Sequence, residues 1–202
     1  IFLDIQLADS LSFNIFNETF NSHNHRLWEE YRKGDLKKEI LRWKRFELTL
    51  KDFGLSSKDL AEKIGEEYVN ESPKKTALIP HTIEILEYLF EKKYQLHIIT
   101  NGFNEVQFTK LKLCGIDKYF DKVVTSEISG YHKPRPEAFG YPLSAANAKK
   151  VESIMIGDDM EVYIVGARNF GMDQIFFNPE SIPHNEKVTH QIKSLIELKE
   201  IL

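Results

Sequence analysis

The sequence is poor in cysteine and in long apolar runs. Its 202 residues include a single cysteine, Cys114, so an internal disulfide is impossible and a disulfide-stabilised secreted domain is not expected. No apolar stretch approaches the length that crosses a bilayer, and no charged and then apolar leader opens the chain. These absences predict a cytoplasmic protein with no membrane role.

Positive charge is also scarce. Lysine and arginine number 27 against 31 aspartates and glutamates, for a formal net charge of -4, and no long basic run is present. Nucleic-acid binding is therefore not expected. Hydrophobic residues make up 42% of the chain, enough for a packed core. The length suggests one core domain with a modest insertion, and we expect a monomer or a weak homodimer.

The first third of the chain has a helical pattern. Over residues 7–69 the apolar residues recur at spacings of three and four, and no convincing strand is visible. Gly34 and Gly54 interrupt the pattern, and Ser56 with Asp59 resembles a capping box at the start of the last helix. The segment is therefore predicted to be all-helical.

After Pro80, apolar strands alternate with helices. This alternation predicts a parallel sheet with helices on both faces, whose functional groups gather at the carboxyl ends of the strands. A final helix is expected from the apolar residues between Ile192 and Ile201. The predicted strands in this part are 96–100, 122–125, 153–158 and 174–177, preceded by an opening strand over 1–4.

Carboxylates stand at the ends of two predicted strands, and they suggest phosphoryl chemistry. Asp4 ends the opening strand and Asp158 ends a later one. Two such carboxylates can hold Mg²⁺, and a carboxylate nucleophile can split phosphate-ester hydrolysis into two steps through an aspartyl-phosphate. Asp4 and Asp158 are therefore candidate Mg²⁺ ligands, and a carboxylate nucleophile would fit the same site.

A strand-ending turn and a loop lysine complete the predicted site. Thr100, Asn101 and Gly102 follow the strand 96–100 and could donate hydrogen bonds to phosphate oxygens. Lys133, in a proline-rich loop, would offset the negative charge of the phosphate and the nucleophile. Simpler interpretations are a plain turn and a solvated lysine.

Four short segments resemble the motifs of the haloacid dehalogenase (HAD) superfamily. They are IFLD at 1–4, IITNG at 98–102, KPRP at 133–136 and IGDD at 156–159, in the superfamily's order. The resemblance implies a Rossmann-like, doubly wound α/β core with an inserted all-helical cap. It places the core at residues 1–6 and 75–202 and the cap at 7–74.

Within that superfamily the sequence looks most like the pyrimidine 5′-nucleotidases with a helical cap. The similarity is carried by NHRLWEEY at 24–31 with Gly34, by TNGF at 100–103 and by YFD at 119–121. It implies hydrolysis of a small phosphorylated metabolite, with a nucleoside 5′-monophosphate as the best candidate. By the same resemblance, Asp4 is the nucleophile and a metal ligand, and Asp158 is the second metal carboxylate. Thr100, Asn101 and Lys133 bind the phosphoryl group, and we expect the cap to select the substrate.

The chain also departs from the family pattern. The family's second motif I aspartate, which protonates the leaving group, is replaced by Gln6, and a later aspartate is replaced by Tyr163. Pro142 falls inside a predicted helix. Either the acid is truly absent, or a segment between Asp4 and Ile5 is missing from the sequence. The stretch that follows Asp4 is shorter than in the subgroup, which favours the missing segment.

Two other functions remain open. A catalytically impaired member could bind a phosphorylated ligand or a protein, as Gln6 and Tyr163 suggest. A 2-haloacid dehalogenase shares the fold and the aspartate nucleophile but uses no metal, and the pair Asp158 and Asp159 argues against it. These two aspartates could also cap the following helix. We expect Asp158 to do both and Asp159 to cap or to lie behind the metal ligands.

Overall fold

The computed structural model describes residues 12–202. The chain divides into two compact units, with the boundary between Lys75 and Thr76. The predicted opening strand, with Asp4, Ile5 and Gln6, lies outside the described residues. The division of the chain into a core at 1–6 and 75–202 and a cap at 7–74 stays a prediction.

The first unit consists of three helices. They are α1 (Phe13–Lys33), α2 (Lys38–Asp52) and α3 (Lys58–Glu71), followed by a 3₁₀ turn at Ser72–Lys74. No strand occurs within residues 12–75. The helical prediction is confirmed for this part of the chain.

The helix ends follow from local chemistry. α1 ends at Gly34, whose φ of 88° lies in the left-handed region that favours glycine. α3 begins at Ser57, whose hydroxyl oxygen accepts a hydrogen bond from the Leu60 amide at 3.2 Å. The cap predicted at Ser56 is thus wrong by one residue, because it is Ser57 whose side chain reaches the exposed amide.

The first unit has its own apolar core. The rings of Phe20 and Phe46 stack with centroids 4.9 Å apart. Leu50 and Ala61 are completely buried in the same cluster, together with Ile64. The cluster draws on all three helices, so their apolar faces are what holds this unit together.

This core also buries a cation. Arg45 is only 3% exposed, and its Nη1 donates to Asn24 Oδ1 at 2.8 Å. The guanidinium carbon lies 4.8 Å from the ring centroid of Tyr68 and 5.2 Å from that of Phe46. Burial lowers the pKa of Arg45 to about 10, which leaves it charged at neutral pH. Asn24, in the segment that resembles the nucleotidase cap, therefore has a structural partner.

The second unit alternates strands and helices, as predicted. No helix among residues 12–202 is long and apolar enough to span a bilayer. The short 3₁₀ turns are Asp117–Tyr119 and Lys150–Glu152. The main elements are α4 (Thr82–Glu91), β1 (His97–Thr100), α5 (Asn104–Leu113), β2 (Lys122–Thr125), α6 (Ser126–Ser129), α7 (Glu137–Ala146), β3 (Ile154–Gly157), a π-helical turn (Met160–Val165), α8 (Gly166–Phe170), β4 (Asp173–Phe177) and β5 (His190–Ile192).

The described strands pair only in parallel. β1 pairs with β2, with Thr100 opposite Thr125. β4 lies between β3 and β5, with Gly157 opposite Phe176 and Phe177 opposite Ile192. The α/β fold with parallel strands is confirmed, and the carboxyl ends of neighbouring strands lie side by side.

The chain's last segment differs from its prediction. Instead of one helix, it forms strand β5 and a 3₁₀ helix at Leu195–Glu200, which opens with a capping box between Ser194 and Glu197. Ile192 is 1% exposed because it packs as a strand residue beside Ile175. A short apolar segment of this kind fits both the helical and the strand period. Its pairing with β4 determines that it forms a strand.

Pro142 lies inside α7, as the sequence indicates. It is buried, and the helix continues beyond it to Asn147, which ends it with a φ of 52°. Proline has no amide hydrogen, so the Ala138 carbonyl loses its donor from within the helix. The helix tolerates the proline because its apolar face, with Phe139 at 0% exposure, is packed into the second unit.

Gly65 allows α2 and α3 to approach each other closely. A Cβ at this position would lie 2.5 Å from the Arg42 carbonyl oxygen and 3.1 Å from the Trp43 Cα, and backbone atoms cannot swing away. We expect Gly65→Ala to lower the free energy of unfolding by about 1 kcal/mol or more, despite the higher helix preference of alanine. Chemical denaturation followed by circular dichroism measures it. The exposed neighbour provides the control, because Glu66→Ala should stay within about 0.5 kcal/mol of the parent, and equal values for the two variants would refute the close approach.

Candidate active site

The turn after β1 is the first part of the predicted site. Thr100 is the last residue of β1 and stands in register with Thr125, the last residue of β2. The Gly102 amide donates to Thr100 Oγ1 at 3.0 Å. The Thr100 hydroxyl is therefore oriented by its own turn, and its hydrogen remains to be donated to another acceptor. The amide of Gly102, which was predicted to bind phosphate, is already used in this hydrogen bond to Thr100.

Asn101 ties this turn to the lysine loop. Its Nδ2 donates to the Lys133 carbonyl at 3.0 Å, and its Oδ1 accepts from the Lys133 amide at 2.9 Å. Both ends of the side-chain amide are thus engaged with one residue's main chain, which fixes the loop against the end of β1. The second hydrogen of Nδ2 and the backbone amide are the donors that Asn101 could still offer to phosphate.

Lys133 is not a solvated loop lysine, so that interpretation is wrong. The side chain is 0% exposed, and Nζ donates a hydrogen bond to the Ile99 carbonyl in β1. Nζ also lies 4.5 Å from the ring centroid of Tyr163. Its main chain is held by Asn101 and its head by β1, so the position of the charge is fixed at both ends.

Burial changes the proton affinity of this lysine. Loss of hydration lowers the pKa of Lys133 to about 7, against an opposing effect of the Asp159 carboxylate. A phosphate dianion beside the amine would favour the ammonium form. Lys133 is therefore an amine whose charge depends on what lies next to it.

Asp158 and Asp159 follow β3 and have different roles. Asp159 caps the π-helical turn, with Oδ1 accepting from the Val162 amide at 2.8 Å. The capping role expected for Asp158 is wrong, because the turn begins one residue later and its free amides face Asp159. Asp158 is exposed, and no hydrogen bond or ion pair within residues 12–202 occupies its carboxylate.

The exposed Asp158 carboxylate is suited to a hard cation. Mg²⁺ keeps several waters and takes one or two protein carboxylates beside substrate oxygens. Among residues 12–202 no group of three or more histidines, cysteines, aspartates or glutamates could hold a metal by itself. The exposed Asp158 carboxylate is of the ligand type that Mg²⁺ prefers, and its role as a metal ligand stays a prediction. The predicted partner, Asp4, lies outside the described residues.

Tyr163 occupies the position of the missing family aspartate, and Gly157 makes room for it. A Cβ on Gly157 would lie 2.6 Å from the Tyr163 Cβ and 2.7 Å from its Cγ. Tyr163 thus joins the end of β3 to Lys133, which it contacts through its ring. Through this contact the structure brings the lysine loop next to the residue that precedes Asp158.

Sequence analysis did not single out the polar network at the end of β2. Thr125 is 1% exposed, donates to Asn104 Oδ1 and accepts from the Ile128 amide at 3.2 Å. The Asn104 amide donates to Glu127 Oε1 at 2.9 Å. The network joins β2 to the start of α5, beside the Thr100 turn. The network becomes visible only from the register in which β1 pairs with β2, and that register cannot be derived from the sequence.

A family model described as haloacid dehalogenase-like hydrolase matches residues 3–177. The chain belongs to this family. YfnB of Bacillus subtilis (strain 168), a HAD-hydrolase by name, is 26% identical over 99% of this chain and 90% of its own length.

Other relatives of this HAD hydrolase include a phosphatase and a dehalogenase. The pyrimidine 5′-nucleotidase YjjG of Escherichia coli (strain K12) is 28% identical over 92% of this chain and 81% of its own. A crystal structure of YfnB bound to magnesium has a TM-score of 0.88 at 24% identity, covering 98% of this chain and 88% of that one. L-2-haloacid dehalogenase of Xanthobacter autotrophicus has a TM-score of 0.76 at 14% identity, covering 98% and 90%, which shows the fold alone.

The charge of Lys133 makes stability depend on pH in a testable way. Unfolding returns the pKa from about 7 to the ordinary 10.5, so between these values the unfolded chain binds more protons than the folded one. Folding stability therefore rises with pH in this window, and the cost of the buried charge is fully present below pH 7. Lys133→Met removes this term while keeping the length of the side chain.

The measurement is the difference in unfolding free energy between the parent and Lys133→Met from pH 6 to pH 9, by urea denaturation without phosphate. All other groups cancel in this difference. We expect it to shift in favour of the parent above pH 7, by up to about 1.4 kcal/mol per pH unit. A difference that stays constant over the range would show that the lysine is not perturbed.

Proposed function

We propose that this HAD hydrolase cleaves phosphate monoesters through an aspartyl-phosphate on Asp4, with a nucleoside 5′-monophosphate as the substrate class. The observation that carries the proposal is the buried Lys133, held by Asn101 beside the Thr100 turn and linked through Tyr163 to the end of β3. Such an arrangement presents donors and one positive charge at the carboxyl ends of parallel strands, where an anionic group binds. The likeness to YjjG supports the nucleotide.

The proposal includes an assignment of domains and ligands. Residues 1–6 and 75–202 form the core and 7–74 the cap, which selects the substrate. Asp4 and Asp158 hold Mg²⁺, which screens the charge of the phosphoryl group when bound. Asp159 supports the site from behind by shaping the turn that follows Asp158.

The reaction proceeds in two displacements at phosphorus. A carboxylate oxygen of Asp4 forms a bond to phosphorus while the bond to the ester oxygen breaks, and the leaving oxygen takes a proton from a general acid, where one is present, or from solvent water to become the alcohol. Water then attacks the same phosphorus, which releases phosphate and restores Asp4. The Thr100 hydroxyl and the Lys133 ammonium donate to the phosphoryl oxygens in both steps.

The leaving alcohol reveals whether a general acid is present. Gln6 cannot supply the proton, and a positioned acid contributes about 100-fold or more to the rate. An enzyme without it would cleave p-nitrophenyl phosphate, whose leaving group needs no proton, far better than a nucleotide. Comparable rates for the two esters would indicate that an acid acts, in a segment beyond Asp4.

One observation favours the impaired binding module as a second candidate. Tyr163 faces Lys133 where the family has an aspartate, so the site lacks a carboxylate that active relatives use. Such a module would bind inorganic phosphate but release none from any ester. The dehalogenase alternative has only the fold in its support, and the exposed Asp158 argues for a metal-dependent reaction.

The direct test is phosphate release from a panel of nucleoside monophosphates and sugar phosphates, with Mg²⁺ and with EDTA. We expect hydrolysis that requires Mg²⁺. Asp158→Asn should reduce kcat/KM by about 100-fold, because the variant loses a charged ligand to the metal. Glu161→Gln is the matched control, an exposed acid three residues further along, and it should keep full activity.

An inactive parent that still binds phosphate would support the impaired module. Chloride release from 2-chloropropionate without Mg²⁺ would instead support the dehalogenase. Equal losses in Asp158→Asn and Glu161→Gln would contradict a specific role of Asp158.

A further inference from the structure

The environment of the Lys133 amine is unusual for a fully buried charge. It has one hydrogen-bond acceptor, the Ile99 carbonyl, and no salt bridge to any residue within 12–202. The Asp159 carboxylate raises the pKa of Lys133, but its Oδ1 already accepts the hydrogen bond that caps the turn after β3. A buried ammonium needs a compensating partner, and a single carbonyl is a weak one.

Within residues 12–202, the face of the Tyr163 ring supplies a further partner. Nζ lies 4.5 Å from the ring centroid, well within the range at which an aromatic quadrupole attracts a cation. The attraction is larger at a desolvated site than at an exposed one, and Lys133 is 0% exposed. The ring carries no net charge, so it holds the ammonium without neutralising it.

Two features of the backbone fix the ring in place. Tyr163 sits in the π-helical turn Met160–Val165, in which the Ile164 amide reaches back to the Asp159 carbonyl at 3.3 Å. Such wide turns are rare and occur mostly at functional sites. The bare Cα of Gly157 then lets the Tyr163 side chain lie directly on the end of β3.

We propose that Tyr163 is a positioning residue that holds the Lys133 ammonium by its ring face, in place of a carboxylate, at the phosphate-binding end of the strands. The inference rests on the proposed function for what the ammonium binds, but not for the contact itself. The ring adds no negative charge of its own, so an ammonium held in this way can pair with a phosphate dianion. A carboxylate in the same place would cancel part of that charge.

The variants separate the ring from its hydroxyl and from its bulk. Tyr163→Phe keeps the ring face, and Tyr163→Leu removes it while keeping an apolar side chain. Phe170→Leu is the matched control, because Phe170 packs in the same apolar cluster but its ring faces Lys150 and not Lys133. Thermal denaturation of all three variants shows how much of any effect is lost packing.

The first readout is independent of activity. Aromatic rings shift the proton resonances of groups over their faces upfield, so the Lys133 ε-methylene should be upfield of the other lysines in protein labelled with ¹³C-lysine. Lys133→Arg assigns the signal. We expect the shift in the parent, in Tyr163→Phe and in Phe170→Leu, and its loss in Tyr163→Leu. An ordinary Lys133 resonance in the parent would overturn the proposal, whether or not the protein proves to be a phosphatase.

The second readout is the dissociation constant of inorganic phosphate, measured by calorimetry with Mg²⁺ present. Tyr163→Leu should weaken binding about tenfold, whereas Tyr163→Phe and Phe170→Leu should stay within about threefold of the parent. A Phe variant as weak as the Leu variant would assign the effect to the hydroxyl and refute the role of the ring. An equal loss of phosphate affinity in Phe170→Leu would show that the effect of Tyr163→Leu comes from lost packing and not from the ring face. If the parent binds no phosphate but shows the upfield shift, the proposed function fails and the positioning contact stands.

Discussion

The site depends on the burial of one positive charge. Removing Lys133 from water is costly, so its head and its main chain both need partners nearby. The ammonium group contacts the Ile99 carbonyl and the Tyr163 ring. The main chain of Lys133 forms hydrogen bonds with both ends of the Asn101 side-chain amide. The contacts of this one ammonium therefore connect β1, the lysine loop and the turn after β3.

The two units solve the same problem in related ways. In the first unit the buried Arg45 lies against the faces of Phe46 and Tyr68 and has a neutral hydrogen-bond partner in Asn24. Neither Arg45 nor Lys133 forms a salt bridge within residues 12–202. Aromatic faces and neutral acceptors stabilise both cations without cancelling their charge, which keeps a lysine available for an anion.

The alternation of elements could be predicted because it has a local cause. Apolar runs separated by glycine and amphipathic segments give parallel strands and covering helices, and the predicted strands of the second unit lie within about a residue or two of β1 to β4. β5 was missed because the apolar residues around Ile192 are spaced as they would be in a helix. Only the pairing of this segment with β4 shows that it is a strand. The capping role predicted for Asp159 is confirmed and the one predicted for Asp158 is wrong, because the position where a turn begins depends on the backbone angles of one residue.

Sequence analysis could propose which residues form the site, but it could not predict the contacts between them. The segment resemblances pointed to Thr100, Asn101, Lys133 and Asp158. The structure places Thr100 at the end of β1 and Asn101 directly after it, Asp158 directly after β3, and Lys133 in the loop between α6 and α7. The double hydrogen bond from Asn101 to the Lys133 backbone and the ring under the ammonium are contacts between residues far apart in sequence. Such contacts depend on strand register and on the space left by Gly157, which no local pattern encodes.

The covalent intermediate tests the central claim most directly. Protein mixed with a hydrolysed substrate and Mg²⁺, quenched in acid within milliseconds and digested, can be examined by mass spectrometry for phosphate on the peptide that contains Asp4. The account predicts phosphorylation of Asp4 that requires Mg²⁺ and is absent from Asp4→Asn. Substrate turnover with no phosphorylated Asp4 at any quench time, or with phosphate on another residue, would contradict it.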